Sequence, residues 1–213
     1  MSQLTGWGRR RAEPAPPLPP DGFATRYLEL DFCPAGTVLH RIHPRALGAL
    51  FFGPPPGSPP RNRWDAPDGG FGVCYLAEQP HVAFAETFLR VPGIMLLEME
   101  DVEQRCLARV RARRDLRLIP AHGLGLHALA ATAAICSGPY AVSQTWAAAF
   151  HGHESKPDGI RYRARHDDDG FAIALFDRAA KAVKEESTAS LGDAEMLKPL
   201  GKMLDRYEIG LAG

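Results

Sequence analysis

The chain has 213 residues, 45% hydrophobic and 23% charged, which places it among ordinary globular proteins with one substantial core. Its 25 basic and 25 acidic side chains cancel, which excludes the global field that draws a protein onto nucleic acid or an anionic membrane, so a polyanion site must be local. The longest apolar stretch, Leu124 to Cys136, is too short to span a bilayer, and the basic N-terminal residues precede no apolar segment, so a cytoplasmic protein is expected.

Between Glu13 and Pro20 five of eight residues are proline, which favours extended backbone, so residues 1–25 read as a flexible leader and residues 26–213 as a single domain. Thr37 to Ile42 is strand-like. The proline-rich segment Gly53 to Pro60 reads as a surface loop delivering Arg61 to Trp64 to a cleft. Gly72 to Ala77 has the residue types of a buried strand, and Pro80 suits the first turn of a helix reaching Leu89. Gly93 to Met99 is strand-like, and Arg105 to Arg117 alternates as an exposed strand or hairpin. Helical patterns follow at Leu124 to Ile135 and Tyr140 to Phe150, then strands at Gly159 to Ala164 and Phe171 to Phe176. A last helix, Asp193 to Leu204, carries an N-cap aspartate and a proline at 199 expected to kink it. Without a regular βαβ rhythm, the order indicates an α+β fold of mixed sheets with flanking helices.

Several features point away from specialised chemistry. The phosphate-loop and dinucleotide-fold glycine motifs are absent. Cys33, Cys74, Cys106 and Cys136 lie too far apart for a zinc pattern and read as small buried hydrophobes. His40 and His43 on one strand face opposite ways, so no metal is expected there. The six arginines between Arg105 and Arg117 have no interleaved aromatics and read as a solvated sheet edge, with no direct nucleic-acid binding. His166-Asp-Asp-Asp169 before Gly170 reads as a turn.

The most specific segment runs from Arg61 to Phe88. It contains Arg63-Trp-Asp-Ala-Pro67, Val73-Cys-Tyr-Leu-Ala77 and Ala83-Phe-Ala-Glu-Thr87: an arginine before an aromatic, a tyrosine on a strand and a glutamate on the next helix. With Leu39-His-Arg-Ile42 upstream, and Ser143-Gln-Thr-Trp-Ala147, Asp158-Gly-Ile-Arg-Tyr162 and Ala174-Leu-Phe-Asp-Arg178 downstream, the pattern resembles the RES domain family across residues 37–178. The family is named for an Arg, a Glu and a Ser. At the expected serine this chain has Ala164, within Tyr162-Arg-Ala-Arg165, and Ser143 is the nearest hydroxyl of interest.

The resemblance implies an ADP-ribosyltransferase-like α+β fold and an enzyme that degrades NAD, as the toxin half of a toxin and antitoxin pair does. The nicotinamide glycosidic bond would be cleaved with inorganic phosphate or water as ADP-ribosyl acceptor. A protein ADP-ribosyltransferase and a catalytically impaired binding module are the alternatives. The resemblance also implies a cognate helix-turn-helix antitoxin; no membrane partner is expected, and a homo-oligomer stays open. Glu86, Arg63 and Ser143 are the catalytic candidates; Arg41, Arg63, Trp64, Tyr75, Glu86 and Ala164 are the candidates for contact with NAD. The chemistry suits these types: guanidinium forks fit a pyrophosphate, aromatic walls fit nicotinamide and adenine, and a fixed carboxylate stabilises an oxocarbenium-like ribose. Nicotinamide leaves as a neutral ring, so no cofactor is required beyond NAD as substrate. By residue type alone Glu86 would be solvated helix surface, Tyr75 a core tyrosine, and Arg61 an alternative to Arg63.

Overall fold

The computed structural model describes residues 15–213. In chain order the strands are β1 (Asp31–Cys33), β2 (Val38–Pro44), β3 (Val73–Ala77), β4 (Leu96–Glu98), β5 (Arg105–Ala112), β6 (Leu116–Ala121), β7 (Gly159–Arg163), β8 (Phe171–Phe176), β9 (Val183–Ser190) and β10 (Gly210–Ala212). The helices are α1 (Pro80–Phe88), α2 (Met99–Glu103), α3 (Gly123–Ala128), α4 (Ala134–Ser137), α5 (Tyr140–Gly152) and α6 (Leu197–Arg206). The arrangement is α+β. One mixed sheet has the order β1-β6-β7-β8-β3-β2-β5-β9, parallel at β6–β7 and otherwise antiparallel, and β4 and β10 form a small parallel pair beside it.

The central strands read as unbroken apolar runs because both of their faces are covered. Val73, Ala77, Ala172, Ala174 and Phe176 join the core under the helices, while Cys74, Leu76, Ile173 and Leu175 alternate into a second core behind the sheet. Between β2 and β3 the ladder consists of one pair, His40 with Ala77. Beyond it the strands part, so the sheet is two halves joined at one point, and the gap is a cleft walled by both strands.

Several elements differ from expectation. Residues 1–14 lie outside the described residues. Residues 15–25 do not hang free as a leader: Phe23 is buried with its ring edge-on to Trp146 at 5.3 Å, and Trp146 Nε1 donates to the carbonyl of Pro17 at 2.8 Å. The arginine-rich strand β5 is not a sheet edge but lies between β2 and β9. The edge is β9, whose polar sequence VKEESTAS carries no apolar alternation because most of it is exposed. Of Gly93 to Met99 only β4 is strand. The stretch expected as one helix from Leu124 to Ile135 is divided into α3 and α4, with Ala130 between them at φ 57°. It buries Leu129 and Ile135, which a straight helix would turn about 120° apart. Pro199 does not kink the last helix, since α6 begins at Leu197 and places the proline in a first turn whose N–H groups lie outside the ladder. Asp193 caps no helix with its side chain; its carboxylate accepts from the Ser190 amide at 3.1 Å. No helix among the described residues is long and apolar enough to cross a membrane.

All four cysteines are buried, and burial pushes the Cys136 thiol up to about 12. At the start of β7, burial alone would raise the Asp158 carboxyl. The Arg114 fork (2.6 and 2.7 Å) and the Arg117 amide (2.9 Å) outweigh that effect and hold it below its ordinary value. A depressed folded-state value means stability that is present above about pH 4 and is lost as the pH falls through the lower folded value. Asp158→Asn is therefore expected to lower the urea midpoint at about pH 7 and to flatten its decline toward about pH 3.

Candidate active site

The loop after the proline segment is built on one buried carboxylate. Asp65 Oδ2 accepts from the amides of Arg61 (2.9 Å) and Asn62 (2.7 Å) and from Asn62 Nδ2 (3.2 Å). Its Oδ1 accepts from the Tyr75 hydroxyl at 2.8 Å, and the same hydroxyl oxygen accepts from the Trp64 amide at 2.9 Å. Burial and then the facing Asp65 charge hold the Tyr75 phenol well above its ordinary value, so it stays a neutral donor. Gln144 Nε2 on α5 donates to the Asn62 carbonyl at 3.1 Å. The loop is thus fixed to β3 on one side and to α5 on the other.

This frame sets Arg63. Its guanidinium is buried; Nη1 donates to the Gly138 carbonyl (2.8 Å) and to Ser143 Oγ (3.0 Å), and Nη2 has no partner among the described residues. Ser143 in turn donates to the Ile135 carbonyl at 2.6 Å, and the Tyr140 ring lies 4.7 Å from the guanidinium carbon. Burial lowers the Arg63 value, yet arginine starts so high that it stays a cation. A buried cation without a carboxylate partner is costly unless an anion completes the site.

Glu86 comes from α1, which opens on Pro80 at its first turn and buries Val82 to Ala85. The turn after β7 presses on this helix at Gly170, where a Cβ would collide with the Val82 side chain. That contact brings the His166 amide to Glu86 Oε1 at 3.0 Å. On the opposite wall Arg41 of β2 is held by the carbonyls of Ala49 (3.0 Å) and Phe51 (2.9 Å) and by Cys74 Sγ (2.7 Å).

These groups line one cleft of about 470 Å³. Arg41, Arg61, Arg63, Arg90, Arg105 and Arg165 are on its walls, and Glu86 is the single carboxylate among the lining residues. Exposure falls from Arg61, Arg90 and Arg165 at the rim, through Arg41 and Arg105, to Arg63 at the floor. Tyr75, Tyr140 and Tyr162 add aromatic surface, and His166, whose value is lowered by burial, adds a ring neutral at pH 7. The cleft fits a polyanion carrying aromatic groups.

The structure brings Arg41, Arg63, Tyr75 and Glu86 together and sets three other candidates apart. Trp64 does not wall the cleft: it is fully buried, with its ring 5.5 Å from Tyr162 and 6.3 Å from Phe150. Ser143 is equally buried and reaches the cleft only through Arg63, whose guanidinium donates to its hydroxyl. Ala164 is 1% exposed and outside the lining, in the core under the helices. Sequence reasoning missed Arg90, Arg105, Arg165, His166 and Tyr140 as cleft residues. Arg90 lies one helical turn after Glu86, a spacing that could have suggested it.

An α+β sheet split around an arginine-walled cleft with one carboxylate is an architecture consistent with the ADP-ribosyltransferase-like fold. The sequence model of the RES domain family matches residues 38–196, and the chain belongs to that family. The crystal structure of the M.tuberculosis MbcT-MbcA toxin-antitoxin complex contains a chain of similar fold. The two have a TM-score of 0.56 and 14% identity, over 78% of this chain and 90% of that one. Among curated proteins nothing matches.

Proposed function

We propose that this chain cleaves the nicotinamide glycosidic bond of NAD and passes the ADP-ribosyl group to inorganic phosphate or water. The observation that carries the reading is the cleft with six arginines and one carboxylate, at the split between β2 and β3. Arg41 and Arg63, which line the cleft from opposite walls, take the pyrophosphate. As the bond from the ribose to the ring nitrogen breaks, its electron pair neutralises the nicotinamide, and positive charge develops on the ribose. Glu86, fixed by the His166 amide, stabilises that charge. The neutral His166 ring is the cleft group suited to take the proton from the attacking water or phosphate as the new carbon–oxygen bond forms.

The test is to incubate purified protein with NAD, with and without phosphate, and to resolve the products. ADP-ribose, or its phosphate ester when phosphate is present, is the expected outcome. Label retained on protein would indicate a protein acceptor. Intact NAD would favour the second reading, a binding module without turnover.

Arg63→Ala is expected to weaken NAD binding by about 100-fold and Arg63→Lys by about tenfold, because the fork is lost in both and the charge only in the first. Titration calorimetry reads this directly. Equal affinity in both variants and the parent would move the pyrophosphate to Arg61.

An enzyme that drains a central cofactor needs restraint, and the related fold was solved in a toxin-antitoxin complex. A helix-turn-helix antitoxin occupying the cleft beside Arg41 and Glu86 is the partner this reading calls for. Harmless expression of the chain alone, with no co-purifying neighbour, would count against it.

A further inference from the structure

A second cavity, of about 490 Å³, lies behind the first, between the start of α1, strands β2 and β5, and helix α6. Its floor is apolar: Pro80, Leu107, Met196, Pro199 and Met203. Its rim is cationic, with Arg109 on β5 facing Lys198, Lys202 and Arg206 on α6, and no carboxylate lines it. The three α6 cations are spaced four residues apart and form one ridge along the helix, about 12 Å long.

Nothing in the stability of the fold accounts for Lys198 and Lys202 in this ridge. Like charges four apart on a helix repel each other, and Lys198 sits in the first turn, where the helix dipole disfavours a cation. No salt bridge among the described residues involves Lys198 or Lys202; Arg206 is 3.7 Å from Asp167, and Arg109 is 4.0 Å from Glu186. His40, whose Nδ1 is buried with no hydrogen-bond partner, lines both cavities and forms the wall between them.

We propose that this second cavity is a docking site for an acidic amphipathic segment of a partner protein. Apolar side chains fill the floor, and carboxylates meet the ridge and Arg109, which relieves the repulsion the free helix carries. A ridge of about 12 Å matches two turns of a bound helix. Nucleic acid fits less well, because the only aromatic rings lining the cavity are the imidazoles of His40 and His81, and no phenyl, phenol or indole ring is there for bases to stack on. The proposal does not depend on what the arginine cleft binds.

The probe is a fluorescein-labelled amphipathic dodecapeptide of glutamate and leucine, followed by fluorescence anisotropy. It is titrated into the parent chain, into a Lys198→Glu/Lys202→Glu variant and into an Arg61→Ala/Arg90→Ala variant of the cleft. Both lysines are exposed, and an unchanged unfolding midpoint verifies the fold of the ridge variant. The expected result is binding to the parent that weakens by at least about tenfold in the ridge variant and by less than about twofold in the cleft variant. A peptide with lysine for glutamate is expected not to bind, and single-stranded DNA is expected not to compete. Absence of binding to the parent would overturn the proposal. So would affinity lost in the cleft variant and kept in the ridge variant, or displacement by DNA at matched charge.

Discussion

Glu86→Gln is expected to remove NAD cleavage, with kcat falling by at least about 10²-fold, while the affinity for NAD stays the same or tightens. Glutamine keeps the size of the side chain, and its amide oxygen still accepts from the His166 amide, so the geometry of the cleft is retained. What disappears is the one negative charge among six arginines. In the ground state that charge repels the pyrophosphate, and in the transition state it faces the developing positive ribose. The two effects have opposite signs, so kcat and KM separate in a way that a misfolded variant would not reproduce. Single-turnover product formation with calorimetric NAD binding makes the measurement. Retained kcat would show that the carboxylate is not the stabilising group.

Asp65→Ala should be the most destabilising single change at the site, by about 3 kcal/mol, or a fall in Tm of roughly 6–12 °C. The fully buried carboxylate accepts from two backbone amides, one side-chain amide and one phenol, and alanine leaves all four donors short of a partner inside the protein. Asp65→Asn should fall between, since its NH2 group would face donors where an oxygen now accepts. Tyr75→Phe removes a single member of the network and is expected to cost about 1 kcal/mol. Thermal unfolding of the three variants gives the ranking; an Asp65→Ala protein as stable as the parent would mean that the loop is held by α5 alone.

Local chemistry was legible where one residue type has one use. The strand Val73–Ala77 and the helix opening on Pro80 followed from residue types in order, whereas the grouping of Arg41, Arg63, Tyr75 and Glu86 on one cleft followed from the family resemblance and not from residue type alone. What could not be read was direction. Trp64 adjoins Arg63 in sequence, yet neighbours in this loop point apart, one to the cleft floor and the other into the core. Ser143 carries a hydroxyl that looks available in sequence and is spent on Arg63 and Ile135. The edge strand β9 was invisible because an exposed edge has no apolar period to display, and Arg165 was invisible because a rim arginine looks like any solvated one.

The lone ladder pair between β2 and β3 has a mechanical meaning. A sheet resists bending through its rows of cross-strand hydrogen bonds, and at this seam the row is one pair long. Both cores nevertheless run across the seam, with Ile42 in the same core as Val73 and Ala77 and Leu39 in the same core as Cys74 and Leu76, so side-chain packing holds together along this line what the backbone row leaves open. Arg41 sits on one side of that line, with Arg63 and Glu86 on the other. A ligand gripped from both sides would be one more tie across that line.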